Sequence, residues 1–314
     1  MRFPRLLFAC FATVVLTPAS AVAQSGGAAA NRAALLVSTA WLGEHLRDPN
    51  LVILHVGDPR EYAASHIPGA RLVEMSDVSV SDHSDPNALM LEMPRTDTLR
   101  AHLAALGISD NSRIVVYYAK DWVSPSTRII FTLDYAGLGS HASLLDGGMG
   151  AWIKEGRAVT DVVPAPRTGT LTPLRTRRII VDAEYVRASV AKPGVSIVDG
   201  RNAGFYDGVQ TGGGMSGPHR TGHIASARSV PFSEVFNDAV GVRTNAELEA
   251  LFTKAGVAPG DTVVGYCHIG QQTTAMLFAA RILGHPVLLY DGSFEDWSRH
   301  ADYPVEHPAE KKKP

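Results

Sequence analysis

Cys267 is the residue whose type and setting could do chemistry. Upstream of it runs Thr262-Val263-Val264-Gly265-Tyr266, a short β-branched apolar stretch that predicts a buried strand. Downstream, Met276, Leu277, Ala280 and Leu283 recur at helical spacing from Thr273 onward, and Gly284 stands where a C′ glycine belongs. Between strand and helix lie Cys267, His268, Ile269, Gly270, Gln271 and Gln272. A tight loop of this kind aims its backbone N–H groups, and the orphan donors of the helix start, at the first loop residue. A thiolate there would be held as a phosphate is held in other anion nests. A free cysteine titrates near ~8.5, and a helix terminus contributes only about 0.3–1 kcal/mol, less than one pKa unit. Several charge-assisted N–H bonds must therefore supply the rest. The competing reading is an inert buried thiol, since free cysteine is among the most buried residue types.

Other chemistries fit worse. Cys267 and His268 are adjacent rather than spaced for chelation, and His219 and His223 lie in a loop, so no metal or other cofactor is expected. His219 reads as solvated and His223 as the support of its turn. A cysteine phosphatase needs an arginine six residues after the nucleophile, where this chain has Thr273.

The chain opens MRFPRLLFACFATVVLTPASAVAQ. Arg2 and Arg5 precede an apolar stretch, Leu6–Leu16, and Ala21-Val22-Ala23 is an A-x-A cleavage pattern. Residues 1–23 are read as a secretory signal too short to span a membrane, which places the mature protein in a bacterial periplasm, soluble and without membrane attachment. The mature chain would have 314 − 23 = 291 residues. Of two cysteines, Cys10 leaves with the signal, so Cys267 stands alone in an oxidising compartment where no intramolecular disulfide can form. Charge is nearly balanced, 29 basic against 31 acidic residues, and Lys311–Lys313 is the lone basic run, so nucleic acid is not an expected partner.

The remaining chain repeats itself. Asp199 answers His55 (199 − 55 = 144), Cys267 answers Tyr118 (267 − 118 = 149), Gly284 answers Gly137 (284 − 137 = 147) and Trp297 answers Trp152 (297 − 152 = 145). Val181–Val186 answers Val37–Leu42, and His223-Ile224 answers His66-Ile67 at 223 − 66 = 157, after an insertion. Landmarks in one order at nearly one offset predict a duplicated domain. Strands are predicted over 51–56, 113–118 and 142–145, a helix over about 127–136, and Ser38 as a helix N-cap. Alternating strands and helices predict α/β domains with mostly parallel sheets flanked by helices. Residues 24–34 read as a flexible leader, 35–160 as the first domain, 161–176 as a linker, 177–307 as the second domain and 308–314 as a disordered tail. His66 and His223 read as structural, and Trp152 and Trp297 as core. The insertion 208–221 reads either as a surface loop or as a flap over Cys267.

Asp199-Gly200-Arg201 with Tyr206, the Gly222-His223-Ile224 turn, Gly265-Tyr266-Cys267 with Gly270, and Tyr290-Asp291-Gly292 before Trp297 together resemble the tandem-domain rhodanese family of sulfurtransferases. The resemblance covers about residues 35–305. It implies two tandem rhodanese-like domains, the second catalytic, with no cofactor. It also implies that Cys267 accepts a sulfane sulfur from an anionic donor, thiosulfate or 3-mercaptopyruvate. The persulfide would then pass to cyanide or a thiol, a protein acceptor included. A thiolate is the nucleophile in such exchange, and the two half-reactions share a covalent intermediate.

The chain also departs from the family. Tyr118 fills the cysteine slot of the first half, implying a non-catalytic, structural or interface role there, with Asp121, Trp122 and Arg128 as candidates to line the cleft between domains. His268 and Ile269 replace the basic residues of thiosulfate-preferring members and the small ones of mercaptopyruvate-preferring members. Phe205 replaces an expected arginine. Positive charge for the donor is then expected from Arg220, Arg201 or a protonated His268, with Asp199 supporting Arg201. Gln271, Gln272 and Thr273 complete the active loop. The alternative function is a periplasmic persulfide carrier with little small-molecule turnover.

Overall fold

A computed structural model describes residues 19–85, 87–120, 122–214, 217–237 and 241–308. Most of the expected signal (residues 1–18), Asp121 and the end of the expected tail (residues 309–314) lie outside the described residues.

The first domain runs α1 (Ala19–Leu35), β1 (Leu36–Val37), α2 (Thr39–His45), β2 (Leu51–Val56), α3 (Pro59–Ala64), β3 (Ala70–Leu72), α4 (Met75–Val78), α5 (Thr96–Ala105), β4 (Arg113–Tyr118), α6 (Val123–Tyr135), β5 (Ala142–Leu145) and α7 (Gly148–Lys154). Its five strands form a parallel sheet in the order β1-β5-β4-β2-β3. Strands β2 and β4 are buried from their second residue onward, as parallel strands covered on both faces must be. Ser38 caps α2 by accepting the Trp41 N–H.

The second domain begins with β6 (Ile180–Val181), α8 (Ala183–Ser189), β7 (Val195–Asp199) and α9 (Ala203–Tyr206). The insertion follows as a small hairpin, β8 (Gly213–Gly214) and β9 (Gly217–Pro218). Next come β10 (His223–Ile224), β11 (Arg228–Ser229), α10 (Asn245–Ala255), β12 (Thr262–Tyr266), α11 (Thr273–Ile282), β13 (Val287–Tyr290), α12 (Ser293–Arg299) and β14 (Val305–Glu306). Its main sheet is again parallel and five-stranded, β11-β7-β12-β13-β6.

The two halves repeat hydrogen bonds as well as topology. Tyr117 Oη accepts the Ile67 N–H at 3.1 Å, and Tyr266 Oη accepts the Ile224 N–H at 3.1 Å. His66 Nδ1 donates to Tyr62 O at 2.7 Å, and His223 Nδ1 donates to Tyr206 O at 2.7 Å. Trp152 and Trp297 are both buried.

Helices α6 and α11 have almost no exposed side because they pack on each other between the domains. Thr127 Oγ1 and Thr274 Oγ1 meet at 2.9 Å, and Ile129, Leu133, Met276 and Ala280 share one core that crosses the boundary. The expected helix over 127–136 starts earlier, at Val123.

The leader departs from expectation. Residues 24–34 lie within α1 rather than in flexible chain. Ala28 is buried, and Arg32 donates to Val242 O (2.9 Å) and Arg243 O (2.7 Å) of the second domain. Docking supplies the order that its small, polar residues do not encode.

Candidate active site

Strand β12 delivers Cys267 at the carboxyl edge of the second sheet, where open α/β sheets collect ligands. The loop then turns through Gly270, whose φ is +79°, and a Cβ there would stand 2.7 Å from Asp291 O. Only glycine fits this turn without strain. The backbone N–H groups of Thr273, Ile269, Gln272 and Gly270 all lie where they favour the ionised form of the Cys267 side chain. The loop carbonyls point elsewhere: Cys267 O accepts the Phe294 N–H at 3.1 Å and His268 O the Glu295 N–H at 3.0 Å, at the start of α12. Those orphan donors of α12 hold the peptide planes so that the N–H sides face the sulfur. Ser293 Oγ accepts the Cys267 N–H and donates to Tyr290 O, fixing the loop to the end of β13.

Cys267 is completely buried. Burial pushes its thiol above the ordinary value, and the four amides pull it down without cancelling that cost. The closed site therefore holds a neutral thiol whose ionised form is pre-solvated by peptide N–H groups.

The insertion packs against the loop. A Cβ on Gly212 would stand 2.6 Å from His268 Nδ1, and His219 N–H donates to Gly212 O at 2.9 Å. The His219 and His268 rings lie 5.9 Å apart, and Phe205 meets His268 edge-on at 4.5 Å. The geometry is that of a flap. His219 is accordingly buried, not solvated. His268 is pushed down to about 4, by burial first and then by Arg201, and His219 is pushed down to about 4 for the same reasons. The expected protonated His268 is thus corrected to a neutral imidazole at pH 7. His268 Nδ1 and both ring nitrogens of His219 are buried without a hydrogen-bond partner among the described residues. Ile269, Gln271 and Gln272 are half-buried, and Gln271 O accepts from Thr274 Oγ1 at 2.6 Å.

The two expected donor arginines part ways. Arg201 is buried and paired with Asp199, Nη2 to Oδ2 at 2.6 Å and Nε to Oδ1 at 3.0 Å, and it also donates to Gly222 O. Its guanidinium lies 4.0 Å over the Phe294 ring and close enough to Cys267 to feel a thiolate. Arg220 instead points its Nη1 at the carbonyls of His300 and Tyr303, both at 2.9 Å, which ties the insertion to the end of α12. It is a clamp on the flap rather than a group beside the sulfur.

Arg128 has the most specific role in the first domain. Fully buried, it donates to Gly270 O (3.2 Å), Asp291 Oδ1 (2.6 Å) and Leu91 O (2.6 Å). It therefore braces the cysteine loop from behind, across the domain boundary. In the first domain Tyr118 fills the cysteine position as a buried core residue, and Trp122 is partly exposed.

Comparison with known proteins shows the family and the fold. The family profile described as "Rhodanese-like domain" matches residues 38–155 and 182–300. The chain is 29% identical to "Sulfur carrier protein TtuD" of Thermus thermophilus, over 86% of this chain and 96% of that protein. It is 27% identical to a "Thiosulfate sulfurtransferase" of Pseudomonas aeruginosa (87% and 97% covered) and 28% identical to a "3-mercaptopyruvate sulfurtransferase" of Escherichia coli K12 (86% and 97%). Among solved structures, it resembles SseA of Escherichia coli with a TM-score of 0.70 at 25% identity, covering 82% of this chain and 98% of that one. It resembles YnjE in fold with a TM-score of 0.74 at 23% identity, covering 88% and 70%.

Proposed function

The chain belongs to the rhodanese-like family, whose members named above include sulfurtransferases, and from that premise we propose that it moves a sulfane sulfur through a persulfide on Cys267. The observation that carries this reading is the convergence of four peptide N–H groups on one buried sulfur. Lifting of the insertion admits the donor and lets the thiol proton pass to solvent. The thiolate then attacks the donor's terminal sulfur. From thiosulfate the S–S bond breaks and sulfite leaves with the bonding pair; from 3-mercaptopyruvate the C–S bond breaks and pyruvate leaves as its enolate and takes up a proton. The new S–S bond leaves the negative charge one atom further out, still within the amide cradle. Cyanide or an acceptor thiolate next attacks the outer sulfur, and the Cys267 thiolate returns.

Arg201 is a cation whose field reaches Cys267, and Asp199 already neutralises it. With His219 and His268 uncharged, the site offers an anionic donor mainly hydrogen bonds. That weak cationic provision favours a second reading, a persulfide carrier that docks a protein acceptor, and a relative carries the name of a sulfur carrier. Intact-mass measurement after incubation with thiosulfate or 3-mercaptopyruvate tests both. One added sulfur atom, absent in Cys267→Ser and removed by cyanide or dithiothreitol with turnover, is the result for an enzyme. An added sulfur without turnover fits the carrier, and no added sulfur from either donor sinks both. We also infer export to a periplasm from the opening basic, apolar and A-x-A segments. N-terminal sequencing of the osmotic-shock fraction should begin at Gln24; recovery of an uncut chain from the cytoplasm would contradict it.

A further inference from the structure

A cavity of about 560 Å³ opens where the two domains meet, at the opposite edge of the sheets from Cys267. Its walls come from both halves: Asp134 of α6, Ser140 just before β5, the linker residue Arg177, Arg281 in the last turn of α11 and Val287 at the start of β13. Asp134 is the one acid among the described residues that line it. Both arginines reach that acid. Arg177 Nη1 bonds Oδ1, and Arg281 Nη1 stands 3.3 Å from Oδ2. The Asp134 side chain is 4% exposed, against 17% for Arg281 and 52% for Arg177. The carboxylate therefore lies behind the guanidinium groups, and two cations face the cavity over a single counter-charge.

The cavity also lies at the C-terminal ends of α6 and α11, whose free carbonyls would repel an anion. Those carbonyls are already taken. In α6, the carbonyls of Thr132, Leu133, Asp134 and Tyr135 accept the N–H groups of Ala136, Leu138, Gly137 and Arg177. In α11, those of Ala279, Ala280 and Arg281 accept the N–H groups of Leu283, His285 and Gly284, and Ile282 O accepts Asn31 Nδ2 at 3.5 Å. What remains unpaired is a set of donors. Arg281 has only its 3.3 Å contact to Asp134 among the described residues, and the Arg177 guanidinium uses one N–H on the same carboxylate. Each guanidinium carries five N–H groups in a fork that matches two oxygens of an oxyanion. Ser140 adds an exposed hydroxyl, whereas His285 has already given its Nδ1–H to Asp261 O at 3.0 Å. Burial pushes the Arg281 guanidinium down, Asp134 opposes this, and the Arg177 charge adds to it. A bound anion would offset both costs.

We propose that this cavity binds a phosphate or sulfate group between Arg177 and Arg281, with the Ser140 hydroxyl as a further donor. Paired arginine forks suit a tetrahedral oxyanion. The volume lies in the range of small-molecule sites, roughly 300–1,000 Å³, so the group fits either free or as the head of a small ester. Because these donors come from the first domain, the linker and α11, a bound anion ties the two domains together. The site is separate from Cys267 and stands whether or not a persulfide forms there.

The test titrates the full chain, labelled with ¹⁵N, with sodium sulfate and sodium phosphate, against sodium chloride at matched ionic strength. Sulfate and phosphate should shift the Ser140, Arg177 and Gly284 amides and the Arg281 Nε–H saturably, and should raise Tm as their concentration passes Kd; chloride should do neither. Arg177→Met and Arg281→Met should each weaken binding roughly tenfold or more, the worth of one charge-assisted hydrogen bond. Glycerol 3-phosphate binding more tightly than inorganic phosphate would assign the remaining volume to an ester; equal or weaker binding would assign the site to the free ion. If Arg281→Met fails to give a folded spectrum, Arg177→Met and the comparison with chloride on the unaltered chain still decide. Shifts that do not saturate, chloride shifts equal to those of sulfate, or undiminished binding in either folded variant would each overturn the proposal.

Discussion

Replacing Arg128 by methionine tests whether the first domain positions the cysteine loop. The side chain is fully buried, and its guanidinium serves three acceptors on separate segments: Gly270 O, Asp291 Oδ1 and Leu91 O. Methionine keeps much of the volume and removes every donor. Asp291, 4% exposed in its side chain, would keep the Met93 N–H on Oδ2 but lose its cation. Removing one partner of a buried pair costs about 3–5 kcal/mol. For domains of this size about 1 kcal/mol corresponds to roughly 2–4 °C, so Tm should fall by on the order of 10 °C. The loop should suffer too. If release of Gly270 O turns even one amide away from the sulfur, the loss of one charge-assisted bond, about 1.4 kcal/mol, slows sulfur uptake roughly tenfold. Calorimetry and stopped-flow donor consumption measure the two effects. Asp291→Asn combined with Arg128→Met should cost less than the sum of the single changes, because the stranded carboxylate is gone. A drop in Tm below about 2 °C, with uptake unchanged, would refute the brace.

Further predictions follow from the same contacts. Cys267→Ser should end sulfur uptake while stability stays within about 1 kcal/mol, because the serine oxygen can accept the same amides; calorimetry showing a larger loss would indicate a packing thiol. Arg220→Ala should free the insertion from the His300 and Tyr303 carbonyls and raise the rate of Cys267 alkylation by iodoacetamide several-fold; an unchanged rate would remove the clamp from the account. Glu92 is pushed up to about 7 by burial and by Asp291, against Arg128. A folded pKa above the unfolded one means the folded chain binds the proton more tightly, so this contribution is fully present below about pH 4.5 and lost as pH rises through 7. Glu92→Gln should therefore stabilise the protein at pH 8 by on the order of 2 kcal/mol and leave it unchanged near pH 4.5, read from melts at both pH values.

The strands were legible because buried parallel strands must be nearly continuous in apolar residues: 51–56, 113–118, 142–145 and 262–266 read true to the residue. The cysteine loop was legible because strand, glycine and helix start are local features. What the sequence hid is tertiary. Arg128 meets Asp291 across 163 positions, and no local pattern announces that bond. The charge of His268 depends on burial under an insertion that ends 268 − 221 = 47 residues upstream, and the order of α1 depends on carbonyls at Val242 and Arg243. Arg220 looked like a donor-binding cation because the glycine-rich insertion does not reveal which way it folds back. His219 and Ser293 also join the site only through the fold; Asp291 was visible as part of the segment before Trp297, but its role on the loop was not.

The central claim is that peptide N–H groups, rather than a metal or a cationic side chain, hold the transferred sulfur. A crystal structure of donor-treated protein, solved before acceptor is added, measures this directly. The predicted result is a second sulfur on Cys267 within hydrogen-bond distance of the Ile269, Gly270, Gln272 and Thr273 amides. An outer sulfur turned away from those amides, with its charge met by an arginine or histidine instead, would contradict it.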